Sequence, residues 1–176
     1  MYGSREIVLI DPPDLVDDYL TVRLTTTGRA ARVTSRAFDD ASRLGEIADR
    51  TRVTDLVAWL PEAGDGDALL RRAVEALLPG VVATDGSIVV LADATTPDSG
   101  TAWFRDLHAA HPNVQVHVLR HESLAGAFWD CRGELQPLTT QGHVPLPALA
   151  SAVAEVIARR DPGYSETTLT ATQETA

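Results

Sequence analysis

The chain has 176 residues, of which 44% are hydrophobic and 23% charged, a composition typical of one globular domain with a sizeable core. Its formal net charge of −10 argues against binding to a nucleic-acid backbone. No apolar run approaches the roughly 20 residues that span a bilayer. The single cysteine, Cys131, excludes an intramolecular disulfide and a multi-cysteine metal site.

The basic residues and the N-terminus exclude further classes of mechanism and location. All 15 basic residues are arginine, so mechanisms that need a lysine amine are excluded. Residues 1–6 carry neither the basic flank nor the apolar segment of a signal peptide. We therefore expect a cytoplasmic protein with no nucleic-acid or membrane partner.

Short apolar runs alternate with helical patterns along the chain. The first run, residues 7–10, predicts a buried strand, and Asp11 followed by Pro12 resembles a helix N-cap with proline at the first helical position. Further strands are predicted at 31–34, 54–60, 87–92, 114–119 and 167–172, and helices at 39–50, 67–78, 101–111 and 146–160. Pro79-Gly80 is expected to end the helix that begins at residue 67.

This alternation predicts the fold class. Strands separated by helices of about a dozen residues indicate a doubly wound, mainly parallel α/β sheet covered on both faces. We expect a single Rossmann-like domain over residues 1–164. A polar C-terminal tail, 165–176, would add at most a last short strand before it becomes disordered.

Four segments carry a resemblance to a known family. They are residues 54–60, residues 86–93 with their Gly-Ser-Ile-Val opening, residues 113–119, and the helix, turn and strand of 146–169. In their order along the chain and in their local sequence, they resemble the fourth to sixth strands and the closing elements of the short-chain dehydrogenase/reductase family. The resemblance implies a Rossmann fold that binds a nicotinamide cofactor. The chain is also similar to the non-catalytic structural half of polyketide synthase ketoreductases.

The cofactor-binding and catalytic motifs of that family are missing from this sequence. The first turn, 11–14, reads Asp-Pro-Pro-Asp instead of the family's glycine-rich loop, and its prolines remove amide donors while its carboxylates repel phosphate. The family's catalytic tyrosine and lysine are also absent, since helix 101–111 has no tyrosine and the chain has no lysine. The resemblance therefore implies a degenerate member with no cofactor, and NAD(P)-dependent ketoreductase activity is disfavoured.

Several polar residues follow predicted strands, where ligands of open α/β sheets bind. They are Asp11, Glu62, Asp93, His121 and Glu122. Asp93 and His121 at neighbouring strand ends are the candidate catalytic acid–base pair. The alternative is that Asp11 and Asp93 cap the helices that follow them and that His121 is a surface residue.

Two other groups of reactive side chains are weaker candidates. His108, His111, His117 and His121 crowd into one stretch, but neither an HExxH pattern nor a cysteine partner accompanies them, so no metal site is expected. Cys131 follows Phe-Trp-Asp and is interpreted as a half-buried structural residue rather than a reactive thiol.

The apolar stripe of Trp103, Phe104 and Leu107 has two interpretations. It is either core or, as the family resemblance implies, part of a surface through which helices 67–78 and 101–111 pair two subunits. The second interpretation predicts a self-dimer or a complex with an intact relative.

Three functions remain open. The first is a non-redox accessory protein that binds a protein partner, such as an intact reductase or a synthase subunit, or a pathway intermediate in bacterial natural-product biosynthesis of polyketide type. The second is a repurposed cofactor-independent enzyme, a cyclase, dehydratase or isomerase, that uses Asp93 and His121. NADPH-dependent redox chemistry ranks last. Residues 133–146 are either a lid over the cleft or a plain connection.

Overall fold

A six-stranded parallel sheet forms the centre of the molecule in the computed structural model, which describes residues 5–29, 32–36, 53–60, 66–125, 127–129, 135–137 and 143–171. The elements in chain order are β1 (Glu6–Ile10), α1 (Asp14–Thr26), β2 (Arg32–Arg36), β3 (Val53–Trp59), α2 (Gly66–Ala83), β4 (Ser87–Asp93), α3 (Asp98–Ala110), β5 (Gln115–His121), β6 (Leu124–Ala125), β7 (Ala127–Trp129), β8 (Leu135–Pro137), β9 (Val144–Pro145), α4 (Leu146–Arg159) and β10 (Gly163–Leu169).

The strand order confirms the doubly wound prediction. The sheet runs β10-β5-β4-β3-β1-β2, and each of its five pairings is parallel. The chain moves outward from β1 to β2 and then crosses back to β3, so the direction of winding reverses between β1 and β3. Such a reversal opens a crevice at the carboxyl ends of the strands. Two small sheets, parallel β6–β9 and antiparallel β7–β8, follow β5.

Helices cover both faces of the sheet. Because strand side chains alternate, Val89 and Leu91 of β4 join one apolar cluster while Ile88 and Val90 join the other. The first cluster takes side chains from α1 and α4, and the second takes them from α2 and α3. This is the single-domain, three-layer arrangement that the alternating pattern predicted.

The apolar stripe of α3 belongs to this core. Phe104 is 1% exposed, Leu107 is buried beside it, and Trp103 is half-buried against the same cluster. The Arg71 guanidinium lies 5.6 Å from the centre of a Trp103 ring, so this indole joins α2 to α3. Phe104 and Leu107 therefore belong to the core, and Trp103 lies at its edge.

The start of α1 differs from the prediction. The helix begins at Asp14 with Pro13 as its N-cap residue, and no side chain caps it. Asp11 instead adopts a left-handed φ of 51°, so its assignment as the N-cap is wrong. A residue before proline is pushed out of the helical region, and Pro12 precedes Pro13, so the helix cannot begin before the second proline.

Helix α2 continues past the predicted stop. It includes Pro79 and Gly80 and ends at Ala83. Pro79 is exposed, whereas Leu77 and Val81 keep the apolar stripe of the helix buried on the sheet. A Cβ on Gly80 would lie 3.0 Å from the Val53 carbonyl oxygen, so glycine serves here for close packing and not as a helix stop.

Strand β10 begins earlier than predicted. It spans Gly163–Leu169 and pairs with β5 along its whole length, so the expected tail from Ser165 is a strand at least to Leu169. The predicted helix 39–50, Glu62 and Cys131 lie outside the described residues. Among the described helices, none has the length and apolarity needed to cross a bilayer.

Candidate functional site

The structure brings the two predicted catalytic residues together. Asp93 is the last residue of β4, His121 is the last residue of β5, and the two are direct partners in the strand register. The backbone N–H of Ala94 also donates to the His121 carbonyl, at 2.7 Å. Asp11 follows β1 at the same edge of the sheet, and Glu122 follows His121.

The Asp93 carboxylate forms hydrogen bonds within the turn that follows β4. Its Oδ1 accepts hydrogen bonds from the Thr95 backbone N–H at 2.8 Å and from the Thr95 hydroxyl at 2.6 Å. These two bonds, with a smaller contribution from the charge of His121, hold the pKa of the Asp93 carboxyl below its usual range. Helix α3 begins five residues later at Asp98 with Pro97 as its N-cap, so the alternative role of Asp93 as a helix cap is wrong.

His121 is buried, with only 4% of its surface exposed, so the alternative that it is a surface residue is also wrong. Its Nδ1 lies 3.0 Å from the Glu122 carbonyl oxygen. A neutral imidazole that donates from Nδ1 to this carbonyl has its lone pair on Nε2. Nε2 is itself buried and has no hydrogen-bond partner within the described residues. The arrangement thus leaves Nε2 as a buried acceptor nitrogen without a described partner, on the strand next to that of Asp93.

Trp59 contacts His121 and was missed by the sequence analysis. It ends β3, and its ring stacks on His121 with centroids 5.1 Å apart and an angle of 30° between the planes. Since β4 lies between β3 and β5, the indole extends across the end of β4 to reach the imidazole. The sequence showed Trp59 only as an aromatic residue of a buried strand, so nothing local indicated this contact.

Two further polar atoms near this crevice are buried without a partner in the described part of the chain. They are the Tyr19 hydroxyl of α1 and Nδ1 of His143, which directly precedes β9. Tyr19 and Trp59 pack against the same apolar cluster. Tyr19 is half-buried on α1, and no sequence motif marked its hydroxyl as a site atom. Buried polar atoms without partners are uncommon and indicate candidate ligand contacts.

The connection from β4 to α3 is fixed by Arg120. This side chain is 10% exposed and forms ion pairs with Asp98 at 3.1 Å and Glu166 at 3.2 Å. It also donates to the Thr101 hydroxyl at 3.3 Å and to the Thr96 carbonyl oxygen. Three of these partners lie in the connection or in the first turn of α3, so Arg120 fixes the position of this segment. In the short-chain dehydrogenase/reductase family, which the sequence resembles, the catalytic serine lies in the corresponding segment.

A nicotinamide dinucleotide does not fit the β1–α1 turn. Pro12 and Pro13 supply no amide N–H groups, and the first turn of α1 carries Asp14 and Asp17 where a pyrophosphate would need positive potential. Helix α3 contains neither a tyrosine nor a lysine. The β1–α1 turn therefore offers a pyrophosphate few amide donors and no positive charge, and the chain has no lysine for a tyrosine–lysine pair.

No protein-family model matches the sequence, and no curated protein is detectably similar to it. Solved structures do share its fold. An alcohol dehydrogenase from the archaeon Thermococcus sibiricus, solved with 5-hydroxy-NADP, has a TM-score of 0.66 and 14% identity, with 97% of this chain and 99% of that chain covered.

Two other structures are similar to this chain. UDP-glucose 4-epimerase from Bifidobacterium longum, solved with NAD⁺ and UDP, has a TM-score of 0.68 and 11% identity over 94% of this chain and 78% of that chain. A SCOR enzyme from Clostridium thermocellum has a TM-score of 0.65 and 9% identity over 96% and 92% of the two chains. At these identities the likeness defines the fold alone, which is a Rossmann-like α/β fold.

Proposed function

We propose that this protein is a non-redox accessory protein with a dehydrogenase-type fold, which binds a protein partner or a pathway intermediate. The observation that carries the proposal is the β1–α1 turn. Two prolines and two acidic side chains occupy the place where the enzymes of this fold bind the cofactor's pyrophosphate. The setting in bacterial natural-product biosynthesis of polyketide type rests on the resemblance to the structural half of ketoreductases.

The candidate catalytic pair gives additional support. Asp93 uses one carboxylate oxygen to close its own turn, and His121 is buried beneath Trp59. A general base must come within hydrogen-bond distance of the proton that it removes. Nε2 of His121 is buried and has no hydrogen-bond partner among the described residues, so a substrate atom could reach it only after a local rearrangement.

The partner surface that we propose is the outer side of α2 and α3. The exposed side chains there include Arg72, Glu75, Arg105 and Asp106. An intact reductase, a synthase subunit or a second copy of the chain would therefore meet a mixed-charge surface, where complementary charges determine which partner binds.

The test is purification of the tagged protein from its own host under mild conditions, with mass spectrometry of the partners and a solution mass of the complex. We expect stoichiometric recovery of a reductase or synthase subunit, or a stable homodimer. Arg72→Glu combined with Asp106→Arg should abolish the association, whereas the control Asp18→Arg on α1 should not. A monomer with no bound protein or metabolite would contradict the proposal.

A titration with NADPH tests the non-redox part separately. Saturable quenching of NADPH fluorescence by the protein would show that the Asp-Pro-Pro-Asp turn does not block the cofactor. We expect no saturable signal, because the turn offers neither amide donors nor positive charge.

The second candidate function is a cofactor-independent cyclase, dehydratase or isomerase. The free Nε2 acceptor of His121 favours it, because Nδ1 is already held by the Glu122 carbonyl and the Asp93 anion lies close enough to stabilise an imidazolium. In this function Nε2 removes a proton from the substrate after Trp59 swings aside. If the protein is an enzyme of this kind, His121→Gln should stop product formation and leave partner binding intact. If it is an accessory protein, His121→Gln should leave the amount of pathway product unchanged.

A further inference from the structure

A groove lies between α1 and α4, away from the candidate functional site. It encloses about 220 Å³ and is reached from the C-terminal turn of α1. That turn lies near the amino ends of the strands, because α1 leads from the end of β1 to the start of β2. The lining residues are Arg23, Thr27, Arg29, Ser151, Ala154, Glu155, Ala158 and Arg159.

The lining is strongly basic although the chain as a whole is acidic. Three guanidinium groups face one carboxylate, and that carboxylate, on Glu155, already pairs with Arg159 at 3.4 Å. Arg23 and Arg29 form no ion pair with any described residue. The groove thus holds two uncompensated positive charges in a protein whose net charge is −10.

The surroundings add to this excess instead of neutralising it. Arg5 and Arg160 share one buried carboxylate, that of Asp55, at 3.8 Å and 3.6 Å. Burial lowers the pKa of Arg5, and the nearby charges of Arg160 and Arg29 lower it further against the opposing effect of Asp55. An anion bound beside Arg29 would relieve this repulsion.

The floor of the groove is formed by small residues. Ser151, Ala154 and Ala158 lie on successive turns of α4, so they leave space between the two helices. The Thr27 hydroxyl donates to the Arg23 carbonyl oxygen at 2.7 Å, which orders the rim next to both free arginines. The open space between α1 and α4 therefore lies beside the positive charges of Arg23 and Arg29.

We propose that this groove binds the phosphate group of a small anionic molecule through Arg23 and Arg29. Guanidinium groups present paired N–H donors that match the oxygens of a phosphate, and bonds between two charged groups are the strong ones. This site is independent of the function proposed above, because it lies at the other end of the sheet and shares no residue with that crevice or with the outer side of α2 and α3.

The test is calorimetric titration of the full chain with inorganic pyrophosphate at low ionic strength. We expect saturable binding with a Kd at or below about 1 mM. Arg23→Gln and Arg29→Gln should each weaken binding about tenfold or more, because each removes a charged donor pair. The matched control is Arg71→Gln, an arginine of α2 that does not line the groove, and it should leave the Kd unchanged.

A second variant separates a shaped site from diffuse attraction. Ala158→Leu keeps every charge but fills the groove, so it should also abolish binding, with circular dichroism confirming that the variant is folded. The proposal is overturned if wild-type protein shows no saturable heat, if Arg71→Gln weakens binding as much as Arg29→Gln, or if folded Ala158→Leu binds as well as wild type.

Discussion

The indole of Trp59 lies on the imidazole of His121, with their ring centroids 5.1 Å apart, although β4 separates the strands that carry them. This contact closes the end of the sheet where enzymes of this fold carry out their chemistry. Nε2 of His121, the ring nitrogen that does not contact the Glu122 carbonyl, is itself buried. Of the two residues that the sequence proposes as an acid–base pair, His121 is therefore buried in the folded protein, whereas Asp93 stays partly exposed.

Replacement of Trp59 by alanine should both destabilise the protein and open this crevice. Because the indole is half-buried against the core and stacks on His121, we expect a loss of about 2–3 kcal/mol in the free energy of unfolding. Urea denaturation measures it. Trp59→Phe, which keeps an aromatic ring, should lose less than half as much. Equal losses for the two variants would show that the stack with His121 contributes nothing.

Asp55 should be the most sensitive carboxylate of the described chain. It is fully buried, contacts Arg5 and Arg160, and accepts a hydrogen bond from the Ser87 backbone N–H at 3.0 Å. Asp55→Asn leaves two guanidinium groups without their counter-charge, so we expect a loss of about 3 kcal/mol in chemical denaturation.

The control for this variant is Asp67→Asn. Asp67 forms an exposed ion pair with Arg71 at 2.7 Å, one helical turn away. Exposed pairs of this kind contribute about 0.5 kcal/mol or less, so the control should be nearly neutral. If the two variants proved equally mild, Asp55 would not anchor the amino ends of the strands.

Gly86 should tolerate no side chain. A Cβ at this position would lie 1.8 Å from the Thr54 carbonyl oxygen, which belongs to the backbone of the neighbouring strand and cannot move away. We expect Gly86→Ala to cost about 3 kcal/mol or more, or to prevent folding altogether.

The comparison for Gly86 is Gly100→Ala in α3, where the nearest atom is a Thr96 methyl group at 3.1 Å. A side chain can yield there, and alanine favours the helix, so the variant should stay within about 1 kcal/mol of wild type. Thermal melts of both variants measure the difference. Gly86→Ala melting at the wild-type temperature would show that the β3–β4 spacing is not as tight as described.

His117 should make the stability fall in mild acid. Its ring nitrogens lie 2.7 Å from the Ser165 hydroxyl and 2.8 Å from the Thr167 hydroxyl of β10. Burial, and then the charge of Arg159, lower the pKa of this imidazole below its ordinary value of 6.5, with Glu166 opposing in part. The unfolded chain therefore binds the proton more readily than the folded chain does.

The sign follows from that difference. The contribution of His117 to stability is complete above pH 6.5 and declines as the pH falls below 6.5 toward the lowered pKa of the folded state. Urea midpoints at about pH 7.5 and 5.5 should thus differ more for wild type than for His117→Gln, which cannot titrate. An identical pH dependence in both proteins would assign the acid sensitivity to other groups.

The fold was predictable because its evidence is local. The runs at 54–60, 87–92 and 114–119 each contain enough apolar residues to identify a buried strand of a parallel sheet, and β3, β4 and β5 confirm them within one or two residues. The predictions were wrong where tertiary packing overrode a local sequence preference. Pro79 and Gly80 normally end a helix, but burial of Leu77 and Val81 on the sheet keeps α2 helical to Ala83.

The candidate site was only partly predictable. The strand ends identified Asp93 and His121, and the register places them side by side. Trp59 and Tyr19 could not be assigned to that site, because in the sequence they are aromatic residues at positions that any core would fill. Asp55 was likewise hidden, since its two arginines lie 50 and 105 residues away along the chain.

The sequence by itself determined the layered α/β architecture, the absence of a lysine-based mechanism and the loss of the glycine-rich turn, because periodicity and residue identity are properties of short segments. The tertiary structure decided whether those residues could act. Trp59 reaches His121, and the arginines of α1 approach those of α4, only because the sheet brings distant segments side by side. The environment of a side chain is set by contacts across the fold, and those contacts determine its burial and its charge.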